Sequence, residues 1–134
     1  MSNARNIASI AGEDVLNASN EIVPVYACRA WVNFDGNDAF SPNPSTSAIR
    51  DSGNVSSIYQ SGTGQYTVNF ATEMPHTNYC IASINAAYLL GNSDFRWITF
   101  VTGVSTSSFT VQTNTLINGN STIDSDFVNH AVFA

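Results

Sequence analysis

Two histidines, two cysteines and ten acidic residues are the side chains of this 134-residue sequence with chemistry beyond packing. His76 follows Met74-Pro75 and reads as a solvated loop histidine. His130 lies inside a strand pattern and reads as a packed or interface histidine; its near-neutral pKa leaves pH sensing as the alternative. Asp35-Gly36-Asn37-Asp38 offers carboxylates within one turn. A calcium loop gathers six or more oxygens and usually a spaced Glu, so a plain turn is expected, with weak calcium binding as the alternative. Asp124 and Asp126 flank Ser125 and read as solvated loop carboxylates, because acid–base work needs a positioned partner. A glycosidase pair would need two carboxylates roughly 5–10 Å apart in a cleft, and no paired motif suggests one. There is no nucleophile elbow and no phosphate loop; Gly62-Thr63-Gly64 joins two strands rather than a strand and a helix. The expectation is no enzyme activity, no cofactor and no metal site.

Cys28 and Cys80 set no disulfide framework. Both fall in strand patterns on faces read as core, so buried free thiols are expected. A Cys28–Cys80 bridge is the alternative, disfavoured by reducing assembly conditions. Trp31 falls opposite the apolar set of its own strand, beside Arg29 and Asn33. That position suits a second packing surface within the sheet or between subunits, since Trp and Arg are enriched at interfaces. A sugar-stacking platform is the alternative. Asn-x-Ser/Thr triplets at Asn17, Asn54, Asn69 and Asn120 follow from the abundance of those residue types.

The elements that would position these groups are strands. Charged residues make up only 10% of the chain, against about 25% in ordinary domains. Ser, Thr and Asn together supply about a third, so solubility rests on hydroxyls and amides. The net charge is −6, with four cations, all arginine, at positions 5, 29, 50 and 96. A nucleic-acid partner needs a basic stripe, and anionic membranes disfavour the same balance. No apolar run approaches the ~20 residues of a membrane span. No hydrophobic leader core opens the chain, so export is not expected.

From Val25 onward the period is two. Tyr26, Cys28, Ala30, Val32 and Phe34 form one apolar set. Residues 48–50 and 54–59 read as short strands joined at Ser52-Gly53. Ser61-Gly62-Thr63-Gly64 is a hairpin signal, after which Tyr66, Val68 and Phe70 point inward and Gln65, Thr67 and Asn69 outward. Cys80, Ala82, Ile84 and Ala86 share one face of the next strand. Residues 95–104 are the most apolar and read as a central strand. In the last strand Phe127, Ala131 and Phe133 oppose Val128, His130 and Val132; both sets are apolar, so one face suits a neighbouring subunit. About eight short strands with regular turns argue an all-β, antiparallel, jelly-roll-like sandwich over 25–134, preceded by an extended arm over 1–24. Glu13-Asp14 would suit a first helical turn within that arm.

One signature runs through Cys28-Arg29-Ala30-Trp31-Val32-Asn33-Phe34, Ala48-Ile49-Arg50, Asn54-Val55-Ser56-Ser57-Ile58 and Gly62-Thr63-Gly64-Gln65-Tyr66-Thr67-Val68-Asn69-Phe70-Ala71-Thr72-Glu73-Met74-Pro75. Over residues 28–79 the chain resembles a module of bacteriophage virion proteins, found at tail-fibre C-termini and in capsid decoration (cement) proteins, with cyanobacterial phages prominent. The closing Val128-Asn129-His130-Ala131-Val132-Phe133 is similar to the last strand of such modules. The resemblance implies a virion structural protein, often a homotrimer, on the particle surface after assembly in the host cytoplasm. Its partners would be its own copies and the major capsid protein or another virion protein. The short arm and the lack of a fibre shaft favour a cement role over the alternative, a fibre-tip adhesin for a host glycan. In that role Ile7, Ile10 and Leu16 would anchor the arm and Arg5 would meet an acidic surface on the shell, while Trp31 and His130 would serve subunit contact.

Overall fold

The computed structural model describes residues 15–16, 22–23, 28–38, 40–86, 97–115 and 121–134. Among these the chain is all-β. Eight strands have five residues or more: β3 (Cys28–Phe34), β4 (Ile49–Gly53), β5 (Val55–Gly62), β6 (Gln65–Phe70), β7 (Cys80–Ala86), β8 (Trp97–Val104), β9 (Ser108–Thr115) and β11 (Phe127–Phe133). Three are two-residue pieces: β1 (Val15–Leu16), β2 (Ile22–Val23) and β10 (Ser121–Thr122). β1 and β2 pair antiparallel with each other within the expected arm; Glu13 and Asp14 lie outside the described residues.

Two antiparallel sheets form the sandwich. Sheet I runs β4-β3-β11-β7, and sheet II runs β5-β6-β9-β8, with β10 on β9 beyond the start of β6. The chain changes sheet between β4 and β5, β6 and β7, β7 and β8, and β9 and β11. The first and last strands of the sandwich, β3 and β11, pair at the centre of sheet I.

Alternation explains the core. Ala30, Val32 and Phe34 of β3 and Val128 and Val132 of β11 meet Ile58, Tyr66, Val68, Phe70, Phe109 and Val111 of sheet II. Apolar residues at every second position on each strand give each sheet one continuous inward face. Aromatic edges lock the two layers: Phe34 meets Tyr66 edge-on at 5.1 Å between centroids, a favoured geometry. Burying each such side chain contributes roughly 1.5–3 kcal/mol.

Two residues turn the chain where few others could. Asn54 has a φ of 55°, which Asn tolerates better than most residues. It sits where β4 ends in sheet I and β5 begins in sheet II, and its side chain fastens the corner. Nδ2 donates to Arg29 O (3.1 Å) and Thr72 O (3.0 Å), and Oδ1 accepts from Thr72 N (2.7 Å). Gly64, with φ at 66°, closes the β5–β6 hairpin. A Cβ there would lie 2.7 Å from backbone atoms of Ile123 and Thr113.

Three strand expectations change. The 48–50 and 54–59 segments are strands, but they join at Asn54 and belong to different sheets. Among the described residues β8 pairs with β9 alone, at the edge of sheet II rather than at its centre. On β7 the apolar set faces outward. Ser83 lies opposite His130 and Asn85 opposite Val128, so the register with β11 turns the polar residues inward.

Candidate functional site

The outer face of sheet I is assembled in rows by strand register. One row runs Gly53, Trp31, Ala131, Ala82, and the next Asp51, Asn33, Asn129, Ile84. Gly53 is required where it is, because a Cβ there would run into the Trp31 indole. The indole thus lies flat over β4 and keeps 41% of its surface exposed. Ala131 and Ala82 leave a floor beside it, and Ile84, 77% exposed, rises on the far side. The result is an open apolar groove of about 300 Å³.

The polar atoms of this face satisfy one another. Asn33 donates to Asn129 Oδ1 (2.5 Å), and Asn129 donates to Ile84 O (2.9 Å). Arg50 packs over the Phe127 ring at 4.5 Å, while its guanidinium pairs with Asp35 at 2.6 Å. A third row, Cys28, Phe133, Cys80, completes the face. Trp31, Ile84, Phe127 and Phe133 make it predominantly apolar, though the other face of the same sheet already forms the core.

The apolar surface continues around the β7–β8 side. Val101 and Val104 of β8 pair with Val111 and Phe109, which are fully buried. Opposed residues share a face, so both valines belong to the inward layer, yet they keep 46% and 49% exposure. Phe100 points the other way and is also exposed. The opposite side of the sandwich is closed. Asn43 exchanges two hydrogen bonds with the backbone of Gln60, and Ser45 bridges to Ile58, so the loop at 41–45 covers β5.

Of the residues expected at an interface, Trp31 is on this outer face. His130 is not. Its side chain lies between the sheets at 4% exposure, edge-on to Phe109 at 5.4 Å, so it packs and offers no external contact. Its Nδ1 shares a hydrogen with Ser83 Oγ at 2.8 Å, while Nε2 has no partner among the described residues. Burial pushes its pKa down to about 4. Leu16 lies in β1; Arg5, Ile7 and Ile10 lie outside the described residues.

The thiols are free, as expected, but not buried: Cys28 and Cys80 are exposed. A register shift between Val132 and Phe133 carries Cys28 off the core face of β3. The two also sit on either side of β11, about 10 Å apart at two strand spacings, too far to bridge.

Asp35 and Asp124 are tied into the fold. Asp35 Oδ1 accepts from Asn37 N (2.9 Å), an Asx turn, and Oδ2 takes the Arg50 pair. Asp124 is not a solvated loop acid. Its Oδ1 accepts from Gly64 N (2.6 Å), Tyr66 OH (2.7 Å) and Gln60 Nε2 (3.0 Å). Burial, and then the Asp124 bond, hold the Tyr66 phenol far above its usual range. His76 is exposed, and no group of three potential metal ligands occurs among the described residues. Among the described residues, the outer face of sheet I presents an open apolar groove, and its polar side chains bond within the fold. Sequence patterning missed the role of Asp124 because its partners lie about sixty residues earlier. No protein-family model, no curated protein and no solved structure matches this chain.

Proposed function

We propose that this chain is a structural protein of a bacteriophage virion, held on the particle surface as a self-associating decoration (cement) protein. One observation carries the reading: sheet I is apolar on both faces, and a sheet of that kind is normally covered on both. The hydroxyl- and amide-rich, lysine-free surface suits a particle exterior, where solubility must coexist with dense packing. The resemblance over residues 28–79 supplies the phage context and the trimeric state. In this role the chain contributes area and register to the shell and carries out no reaction; its partners are its own copies and the major capsid protein.

Labelling intact particles with an antibody to the chain tests the reading. Decoration predicts label over the shell, and particles that break at a lower temperature when the chain is missing. Label at the tail, together with saturable binding on a glycan array, would replace cement with the adhesin role. Deletion of residues 1–24 should lower shell occupancy if Arg5, Ile7, Ile10 and Leu16 anchor the arm.

A further inference from the structure

We propose that strand β7 has two registers on β11, one residue apart, and that His130 is the buried key selecting the register seen. In the second register Ala82 and Ile84 turn into the core, Ser83 and Asn85 turn out, and the apolar groove beside Trp31 is lost. This goes beyond the function proposed above and rests on no partner.

The sequence of β7 and its lead-in offers two faces that could be buried. Tyr79, Ile81, Ser83 and Asn85 share one; Cys80, Ala82, Ile84 and Ala86 share the other. The first is turned inward. Tyr79 and Ile81 pack against the core, Ser83 lies opposite His130, and Asn85 lies opposite Val128. The second face has four small or apolar side chains, counting a free thiol as a small hydrophobe. By burial alone it is the better core face, yet Cys80 and Ile84 are exposed. A one-residue slip exchanges the two faces completely, so apolar burial normally fixes register. On β7 it does not favour the register seen.

Polar side chains hold that register instead. Ser83 Oγ lies 2.8 Å from His130 Nδ1. Asn85 donates to Thr99 of β8, and its Oδ1 accepts from Asn129 N at 3.4 Å. Tyr79 OH lies 3.0 Å from both Ser105 O and Ser108 O. Tyr79 and Asn85 are only half-buried, so water can replace the bonds they would lose.

His130 has no such recourse. It lies between the layers against the rings of Phe34 and Phe109, and its Nε2 has no partner among the described residues. Ser83 is the partner of Nδ1. A slip in either direction would set Ala82 or Ile84 opposite His130 and leave both ring nitrogens unbonded in the core. A buried polar group that loses its partner carries its full desolvation cost. His130 thus excludes the slipped registers, although they would bury more apolar surface. Specifying register is the best-attested use of a buried polar residue. The groove follows from it, because Ala82 and Ile84 line it only in this register. His130 is a positioning residue for that surface, acting through β7.

Cross-strand NMR contacts and thiol labelling of the purified chain provide the test, in a Cys28→Ser background that leaves Cys80 as the remaining cysteine. With His130 in place, Ala131 should pair with Ala82 and Cys80 should label freely. His130→Leu fills the core without a polar atom. Ala131 should then pair with Ile81 or Ser83, and Cys80, turned inward, should label about ten-fold more slowly. His130→Asn keeps an amide near the Nδ1 position and should retain the original pairing; a merely space-filling histidine would give the opposite ranking of the two variants. Ser83→Val added to His130→Leu should restore the original pairing, because it makes the present inward face apolar. Ser83→Ala removes the same bond from the other side. It should bring in a second set of peaks with the shifted pairing, and it serves if His130→Leu loses its cooperative melting transition. A folded His130→Leu chain that keeps Ala131 on Ala82 and labels Cys80 at the original rate overturns the proposal and assigns the register to Tyr79 and Asn85. So does a His130→Asn chain that shifts as His130→Leu does. So does failure of both His130→Leu and Ser83→Ala to fold, since the second register must itself be stable.

Discussion

The two sheets share one core but present opposite exteriors. Apart from Tyr59 on β5 and Phe100 on β8, the described outer face of sheet II is a network of short polar side chains. Thr67 shares a hydrogen bond with Thr110 at 3.1 Å, Asn69 donates to Ser57 at 3.1 Å, and Gln112 donates to Asn114 at 2.9 Å. The outer face of sheet I is largely aromatic and aliphatic, with the amide pair Asn33 and Asn129 and, toward its β4 edge, Asp51 and Arg50. Strand propensity cannot explain the difference, since Thr, Val, Trp and Phe all favour strands. It lies in what each face meets. Threonine and asparagine hold a face in water without a partner, whereas Trp31, Ile84, Phe127 and Phe133 gain only when water is removed.

The largest effect should come where the two sheets are alike. Phe34→Ala removes a fully buried ring between the layers and should cost about 3–5 kcal/mol in urea unfolding. A loss below 1 kcal/mol would mean that the layers do not depend on each other.

His130 comes next, an imidazole caught between the sheets. Its ordinary pKa of 6.5 falls to about 4 on folding. As pH drops below 6.5 the unfolded chain takes up a proton that the folded chain refuses. Stability is therefore full above pH 6.5, declines from there toward pH 4, and levels off below. The total is about 3 kcal/mol. Unfolding midpoints from pH 7 to 5, above most carboxylate titration, should show the slope in wild type and lose it in His130→Leu.

Tyr66→Phe breaks the phenol's bonds to Asp124 and to Gly36 O and should cost about 1–3 kcal/mol, since a buried acceptor loses its donor. The melting temperature reads it, and assembly mass should not change. The smallest effect should be the most discriminating. Thr67→Val on sheet II and Ile84→Thr on sheet I should each shift stability by no more than about 0.5 kcal/mol as surface substitutions. Only the second should weaken self-association in sedimentation. Equal behaviour of the two would erase the distinction between the faces.

Much of this was legible in the sequence. Strands β3 and β6, the glycine-rich hairpin between β5 and β6, and the inward set Tyr66, Val68 and Phe70 all follow from local alternation. So does the two-sided apolarity of β11. What alternation cannot say is which of two faces turns inward. On β7 the apolar set Cys80, Ala82 and Ile84 looked like core, but register with β11 placed Ser83 against His130 and reversed it. For β8, apolarity suggested a central strand, while sheet order, a matter of long-range pairing, placed it at an edge. Cys28 left the core through a single register shift, which no local pattern encodes. Asp124 gained its role from Gly64 and Tyr66, distant in sequence and invisible to any window.

The central pairing of β3 with β11 also has a mechanical consequence. Cys28 lies opposite Phe133, so the chain enters and leaves the sandwich at the same end of one antiparallel ladder. Tension applied through residues before 28 and after 133 would load that ladder one rung at a time, like a zipper, rather than shearing all its bonds together. A contact that bridges β3 and β11 from outside, such as a side chain pressed between Trp31 and Ala131, would act as the clasp. In a copy so engaged, resistance to pulling would be set by its neighbour as much as by its own fold.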